Sequence, residues 1–360
     1  MTTKYMSQTK INITLPRRWN DCTVEQLELI ADVMQEQIQR QDRYHPFTMQ
    51  NVKIALFFAL SGLEIVEGPN PRVPVEEQYY TCRLRQPSHW WQWRKPVGET
   101  FSVYLWQINY WLSPKAKTND KRDPEYIAQG AALLDWLDSE SGNFLTNFPY
   151  PTIKRHKHWW QWKRPFQGAF PDLDGFSWAQ YRFASDMMQS YTQLSNNLVK
   201  MQGMADKFSP QQMFTQMKSV DLAKAMFLAT IFNAKTKFVD TNTGMVKYDF
   251  HYESNQCTDN AQYFRNFPDT QWQVILFWWT GVMHTLSKRF PHVFKVQKLK
   301  PGQRKPSTPL EIYTATTATM QKYAGLTEDQ VNHQSYSLVL EHLERLSCEN
   351  EEMEKIRRKK

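Results

Sequence analysis

Glycine is scarce, at 12 of 360 residues, and none of it builds a phosphate-cradling loop. GxxxxGK[ST] and GxGxxG are both absent, as are HExxH and GxSxG, so the sequence announces none of the nucleotide, metalloprotease or hydrolase chemistries those motifs carry. Cysteine is limited to positions 22, 82, 257 and 348. No two of them lie at metal-ligand spacing, which argues against zinc, and four thiols in so long a chain are no disulfide framework. Long apolar runs are missing too. The most apolar stretch, residues 274–283, is far short of the roughly 20 residues a membrane span needs and is closed by His284 and Lys288. It reads as a helix buried on all sides. Residues 1–10 are polar and lack a signal core. These absences predict a cytoplasmic protein in a reducing compartment, without membrane contact, metal or cofactor. No catalytic residue is nominated, and the chain reads as non-enzymatic.

What is present fits a folded chain: 41% apolar and 22% charged residues, outside the low-hydrophobicity, high-charge range of disorder. Lysine and arginine exceed the acids by 44 to 36. That excess favours anionic partners but equally serves solubility. Aromatics are abundant, with 14 Trp.

Helix starts are readable. Thr23-Val-Glu-Gln26, Ser177-Trp-Ala-Gln180, Ser209-Pro-Gln-Gln212 and Thr327-Glu-Asp-Gln330 all have capping-box spacing. A long, deeply buried helix is expected over 213–232, and others over 48–61, 101–112, 124–138, 270–289 and 309–323. Alternation at Ile11, Ile13 and Leu15 predicts a strand. Residues 238–246 predict a hairpin turning at 242–244, and 293–296 another short strand. Pro-rich loops lie at 68–74, 148–151 and 299–309. The fold class is therefore mainly α, in multi-helix domains with small hairpin and strand additions. The expected division is 1–70, 71–150, 151–300 and 301–360.

One duplication stands out. His89-Trp-Trp-Gln-Trp-Arg-Lys-Pro96 recurs 69 residues later as His158-Trp-Trp-Gln-Trp-Lys-Arg-Pro165. Basic residues precede each copy, and each leads to a Phe-Ser pair read as a helix start, Phe101-Ser102 and Phe176-Ser177. A fainter third version is Pro16-Arg-Arg-Trp-Asn-Asp-Cys-Thr23. The element reads as a duplicated strand–loop–helix; two clear copies make no solenoid. Trp90, Trp91, Trp93, Trp159, Trp160 and Trp162, with Lys154, Arg155, Lys163 and Arg164, are candidate interaction residues. They could stack bases and neutralise phosphates, or dock a protein. They could equally fill a core with cations lying over the rings.

Other polar groupings have plainer readings. His156 and His158 read as a basic loop. Asp172 and Asp174 open like a calcium loop, but Phe183 stands where its last carboxylate belongs, leaving a turn with a helix-capping carboxylate. Asp135 and Asp138 read as a solvated acidic face. Residues 288–305 carry seven basic residues and no acid, suited to phosphate, an acidic partner or plain solvation.

From Tyr336 a seven-residue rhythm runs through Leu343, with Val339 and Leu346 at the second seam position. Tyr336, Leu343 and Leu346 are candidates for self-association or another protein contact. A helix packed on its own domain needs the same stripe. Met187, Met188, Met201, Met204, Met213 and Met217 fall in two adjacent helices. Such faces adapt to varied apolar partners, and core packing explains them as well.

The run from Ile11 through Pro16-Arg-Arg-Trp19 to Leu27, the helix entry Phe176-Ser-Trp-Ala-Gln-Tyr-Arg-Phe183 and the charged terminal helix of residues 337–360 resemble proteins of tailed phages and prophages, of the virion- and tail-assembly kind. The resemblance implies an assembly chaperone or structural adaptor in the host cytosol or the virion. Its partners would be phage structural or tail proteins. The alternative is a nucleic-acid-binding protein using the basic Trp loops.

Overall fold

The computed structural model describes residues 15–39, 48–74, 77–84, 100–111, 134–138, 142–154, 165–240, 243–295 and 309–359. Of the sequence expectations, the strand at Ile11–Leu15 falls almost wholly outside these residues. His156, His158 and the first Trp octapeptide fall wholly outside, as does the second but for its last residue, Pro165. The chain divides into two compact units, Met1–Leu145 and Thr146–Lys360. Among the described residues it is mainly α, with ten α-helices and three small antiparallel sheets.

The first unit opens with α1 (Val24–Gln39) and α2 (Met49–Ser61). Thr23 and Gln26 cap α1 reciprocally, at 3.3 and 2.9 Å. Helix α2 stops at Gly62, whose φ of 72° suits a residue without Cβ. A sheet of order β1 (Leu63–Glu67), β2 (Tyr79–Leu84), β3 (Phe101–Tyr104) follows, and α3 (Leu105–Trp111) continues directly from β3. The helix start expected at Phe101-Ser102 is thus a strand. Val103 is buried while Ser102 and Tyr104 are exposed, and pairing of Cys82 with Phe101 extends the sheet. Of the helix expected over 124–138, residues 134–138 form a 3-10 turn entered through Leu134 at φ 67°. That turn places Trp136 edge-on to Trp19 at 5.1 Å, so the Trp of the faint third repeat is a core residue.

The second unit holds β4 (Thr152–Ile153), β5 (Phe166–Gln167), α4 (Trp178–Gln202), α5 (Pro210–Ile231), the hairpin β6 (Lys235–Val239) and β7 (Val246–Phe250), α6 (Ser254–Ala261), α7 (Asp269–Arg289), α8 (Pro309–Ala324), α9 (Glu328–His333) and α10 (Tyr336–Lys359). Each Trp octapeptide thus lies in sequence between two antiparallel partners, β2–β3 and β4–β5. The core gathers on α7, where Trp272, Val274, Ile275, Trp278 and Val282 are buried. Trp272 meets Phe227 of α5 edge-on, and Trp278 meets Phe148. Of the apolar run of 274–283, six residues are buried, while Leu276, Phe277 and Met283 are half-buried and Thr280 is exposed, so its neighbours cover most but not all of the helix.

Two local expectations change. At Ser177 the hydroxyl accepts from the Gln180 amide, but the Gln180 side chain does not reach back. It is buried and donates to the Thr230 carbonyl at 2.8 Å, tying α4 to the end of α5. The strand expected from Val293 is a turn, because the His292 and Val293 amides donate to the Glu344 carboxylate rather than to a strand.

Candidate functional site

Helices α4 and α5 form an antiparallel hairpin whose two halves differ. Core residues run from Trp178 to Met188 on α4 and from Ala223 to Ile231 on α5. Between them, from Gln189 to Leu222, no described residue is buried. At 1.5 Å per residue this is an arm roughly 20 Å long. The expectation of a deeply buried helix over 213–232 therefore holds only for its second half. Leu194, Leu198, Met201, Met213 and Val220 are half-buried, as in a seam between two helices. The Gln216 side-chain amide donates across it to the Leu194 carbonyl at 2.8 Å. Val199, Met204, Phe214, Met217 and Leu222 are exposed, Phe214 at 56%. The Lys218 ammonium lies 4.4 Å from the Phe214 ring centroid. Only Lys200, Asp206, Lys207, Lys218 and Asp221 carry charge in this stretch.

A groove of about 510 Å³ runs between the base of the arm and α7, lined by Met188, Tyr191, Leu276, Trp279 and Met283. A second hollow, about 390 Å³, lies at the tip beside Met201 and Phe208. Of the six methionines singled out in the sequence, Met188 is core, Met187, Met201 and Met213 are half-buried, and Met204 and Met217 are exposed.

A polar cleft of about 440 Å³ lies between the β6–β7 hairpin and the entry to α4. His251, His333, Glu253 and Asp174 are among its lining residues. His251 stacks on Phe238 at 4.0 Å, and burial pushes its pKa down, with Glu253 opposing. Both hydroxyls of the cleft are committed: Ser177 caps α4 and Ser335 lies 3.1 Å from Ser337. Asp174 accepts from the Gly175 amide, so the carboxylate expected to cap a helix closes a turn, and Ser177 does the capping.

The C-terminal helix packs on its own unit. Tyr336, Val339 and Leu340 are buried, while Leu343 and Leu346 are half-buried. Among the described members of the 288–305 stretch, Arg289 pairs with Glu341 at 2.7 Å and Lys295 with Glu351 at 2.8 Å. The acidic partner of these two cations is the chain's own last helix. Between the pairs, His292 Nδ1 lies 2.6 Å from Glu344 Oε1 and 3.3 Å from Cys348 Sγ. The ligand atoms of these three residues all fall within 4.8 Å of one another. Partial burial works to raise the Glu344 pKa, but the His292 ring and the Val293 and His292 amides outweigh it and hold it below the usual carboxylate range. Burial and the nearby carboxylates push the Cys348 thiol up. No motif signals this cluster, because His292 lies 52 residues from Glu344.

Asp135 and Asp138 are not a solvated acidic face. They bracket the ammonium of Lys53 at 2.9 and 2.8 Å. Of the ten Trp-loop candidates, Lys154 is exposed; Trp90, Trp91, Trp93, Trp159, Trp160, Trp162, Arg155, Lys163 and Arg164 lie outside the described residues. The methionines at 201, 204, 213 and 217 pointed to the arm at 189–222, but Val199, Phe214 and Leu222 went unsignalled because their apolar spacing is that of any buried helix; the low charge of the stretch was the further signal available. No described helix is long and apolar enough to cross a membrane. Comparison with known proteins yields no match to a family model, a curated protein or a solved structure.

Proposed function

We propose that the chain is a non-enzymatic protein-interaction protein of the virion- or tail-assembly kind, a chaperone or adaptor, whose α4–α5 arm takes an apolar helix of a phage structural protein. One observation carries the reading: 34 consecutive residues of a helical hairpin, none of those described buried, present Val199, Met204, Phe214, Met217 and Leu222 to solvent. Two helices alone cannot close a seam that bundles of four bury. Large apolar exposure on an ordered element marks an interaction surface. The occupant is argued from the surface itself. Depletion of charge is the compositional mark of an interface core, methionine adapts to apolar partners, and the groove at Tyr191, Leu276 and Trp279 gives a third helix a bed. The resemblance of residues 11–27 and 176–183 to phage assembly proteins supplies the setting.

The test co-expresses the full chain with each protein encoded by the neighbouring genes, any of capsid or tail type first. One of them is expected to form a complex in which hydrogen exchange slows over residues 189–222. Phe214→Ser with Met217→Ser abolishes that complex while changing stability by under about 0.5 kcal/mol each, as exposed sites do. Binding that survives the double variant sinks the reading. So does the absence of any complex alongside tight, steeply salt-sensitive binding of single-stranded nucleic acid, which identifies the Trp-loop alternative.

A further inference from the structure

We infer that His292, Glu344 and Cys348 form a binding site for a divalent transition-metal ion of the zinc class, which staples the C-terminal helix to the turn that follows α7. The three side chains offer one nitrogen, one oxygen and one sulfur, all within 4.8 Å of one another. This is a mixed donor set of the kind zinc accepts. Glu344 and Cys348 stand four residues apart on α10 and so share a face. His292 is brought to that face by the turn at 290–295. Its own amide and that of Val293 donate to the Glu344 carboxylate at 3.0 Å each, which fixes the backbone carrying the ring.

The distances are close to those a metal requires. Bonds of about 2.0–2.3 Å in a tetrahedron place ligand atoms roughly 3.3–3.7 Å apart. The sulfur–nitrogen separation is already 3.3 Å. The nitrogen–oxygen pair, at 2.6 Å, is hydrogen-bonded and opens by about 1 Å when the ion replaces the shared proton. A carboxylate flanks the far side of the ring, at ion-pair rather than hydrogen-bond distance. Glu351 Oε2 lies 3.8 Å from His292 Nε2, and Lys295 holds that carboxylate at 2.8 Å. A carboxylate there favours the tautomer with the proton on Nε2, leaving the Nδ1 lone pair for the ion.

Charge and protons balance. The ion takes the Nδ1 lone pair with the ring proton on Nε2, any other ring proton passes to solvent, and the Cys348 thiol loses one proton to solvent. Thiolate and carboxylate together then neutralise the divalent ion. All three ligands are only half-buried, so water completes a fourth position. The inference departs from the expectation, drawn from cysteine spacing, that the chain binds no zinc. The spacing rule looks for ligands close in sequence, and here tertiary packing assembles them.

The test uses the full chain, freed of metal by chelation, with Zn²⁺ and, as a spectroscopic probe, Co²⁺. One equivalent of Co²⁺ is expected to bind with a thiolate-to-metal charge-transfer band in the near ultraviolet. Cys348→Ser abolishes the band. Glu351→Gln weakens affinity by about 10–100-fold, as loss of an outer carboxylate does, without removing the band. Zn²⁺ raises the melting temperature of the parent but not of Cys348→Ser. That variant removes one thiol at a half-exposed position and keeps the Glu344 contacts, so it reports on the site rather than on folding. Absence of the band overturns the inference. Binding that is unchanged in Cys348→Ser marks the ion as held elsewhere and overturns it equally.

Discussion

The hydroxyl of Tyr336, the first residue of the C-terminal helix, donates to the carbonyl of Asp172, and Asp172 and Leu173 are consecutive residues with positive φ, 53° and 58°. Side chains rarely adopt that conformation, and it persists only where the surroundings impose it. Leu173 is fully buried, Tyr336 is 4% exposed and its ring stacks on Tyr181 at 5.3 Å. The Trp178 amide donates to the Gln334 carbonyl and that of Tyr336 to the Phe176 carbonyl. The last helix and the entry to α4 are therefore built as one piece. Tyr336→Phe is expected to cost about 1 kcal/mol, the net worth of one hydrogen bond, and Tyr336→Ala about 3–5 kcal/mol. Denaturant melts measure both. A Tyr336→Phe variant as stable as the parent would show that the hydroxyl does not hold the turn.

Lys53 is 3% exposed, and its ammonium reaches Asp135 and Asp138. Burial opposes its charge, but the two carboxylates win and its pKa is raised. Lys53→Ala leaves two carboxylates facing a hole and is expected to cost about 3 kcal/mol. This is the lower end for breaking a buried pair, because both aspartates retain some solvent contact. Since the folded pKa lies above the unfolded one, the contribution is complete below the ordinary lysine value and fades as pH rises through the raised folded value. Melts of parent and variant in increasingly alkaline buffer should converge there. A gap that instead widens contradicts the pairing.

Glu344 titrates in the opposite sense. Its folded pKa is lowered, so the stability it contributes is present above the ordinary glutamate value and is lost as pH falls through the depressed folded one. Glu344→Gln is expected to cost about 1–2 kcal/mol at neutral pH, as for hydrogen bonds to a charged acceptor. The difference between parent and variant shrinks in acid. Metal-free protein is the sample for these melts, with hydrogen exchange at the Val293 amide as local readout. A difference independent of pH would assign the effect to packing.

Gly168 allows a close approach that no other residue permits. A Cβ there would lie 2.4 Å from the Tyr150 carbonyl oxygen and 2.2 Å from the Phe148 ring, and that ring is wedged against Phe232 and Trp278. The backbone atom cannot swing aside. Gly168→Ala is expected to destabilise the second unit by about 3 kcal/mol, the upper range for overpacking. A melting temperature equal to that of the parent would mean that the 148–150 segment yields readily.

Features that depend on neighbours a few residues apart were legible in the order of the amino acids. The capping boxes at Thr23, Ser209 and Thr327 form as their spacing dictates, because both partners sit within one turn. The 235–250 hairpin follows from its turn, where Gly244 takes φ 67°, and the apolar run of α7 required a buried helix. Tertiary structure decided the rest. It drew Gln180 out of its capping box to Thr230, made Phe101–Tyr104 a strand, and left half of the α4–α5 hairpin uncovered. It supplied Lys53 with carboxylates from 82 and 85 residues away, and the cations Arg289 and Lys295 with glutamates of α10. It also brought His292 to Glu344 and Cys348. The reason is range: hydrophobic periodicity states which face of a helix seeks cover, but whether cover arrives, and which distant charge or ligand arrives with it, depends on how the chain folds back on itself.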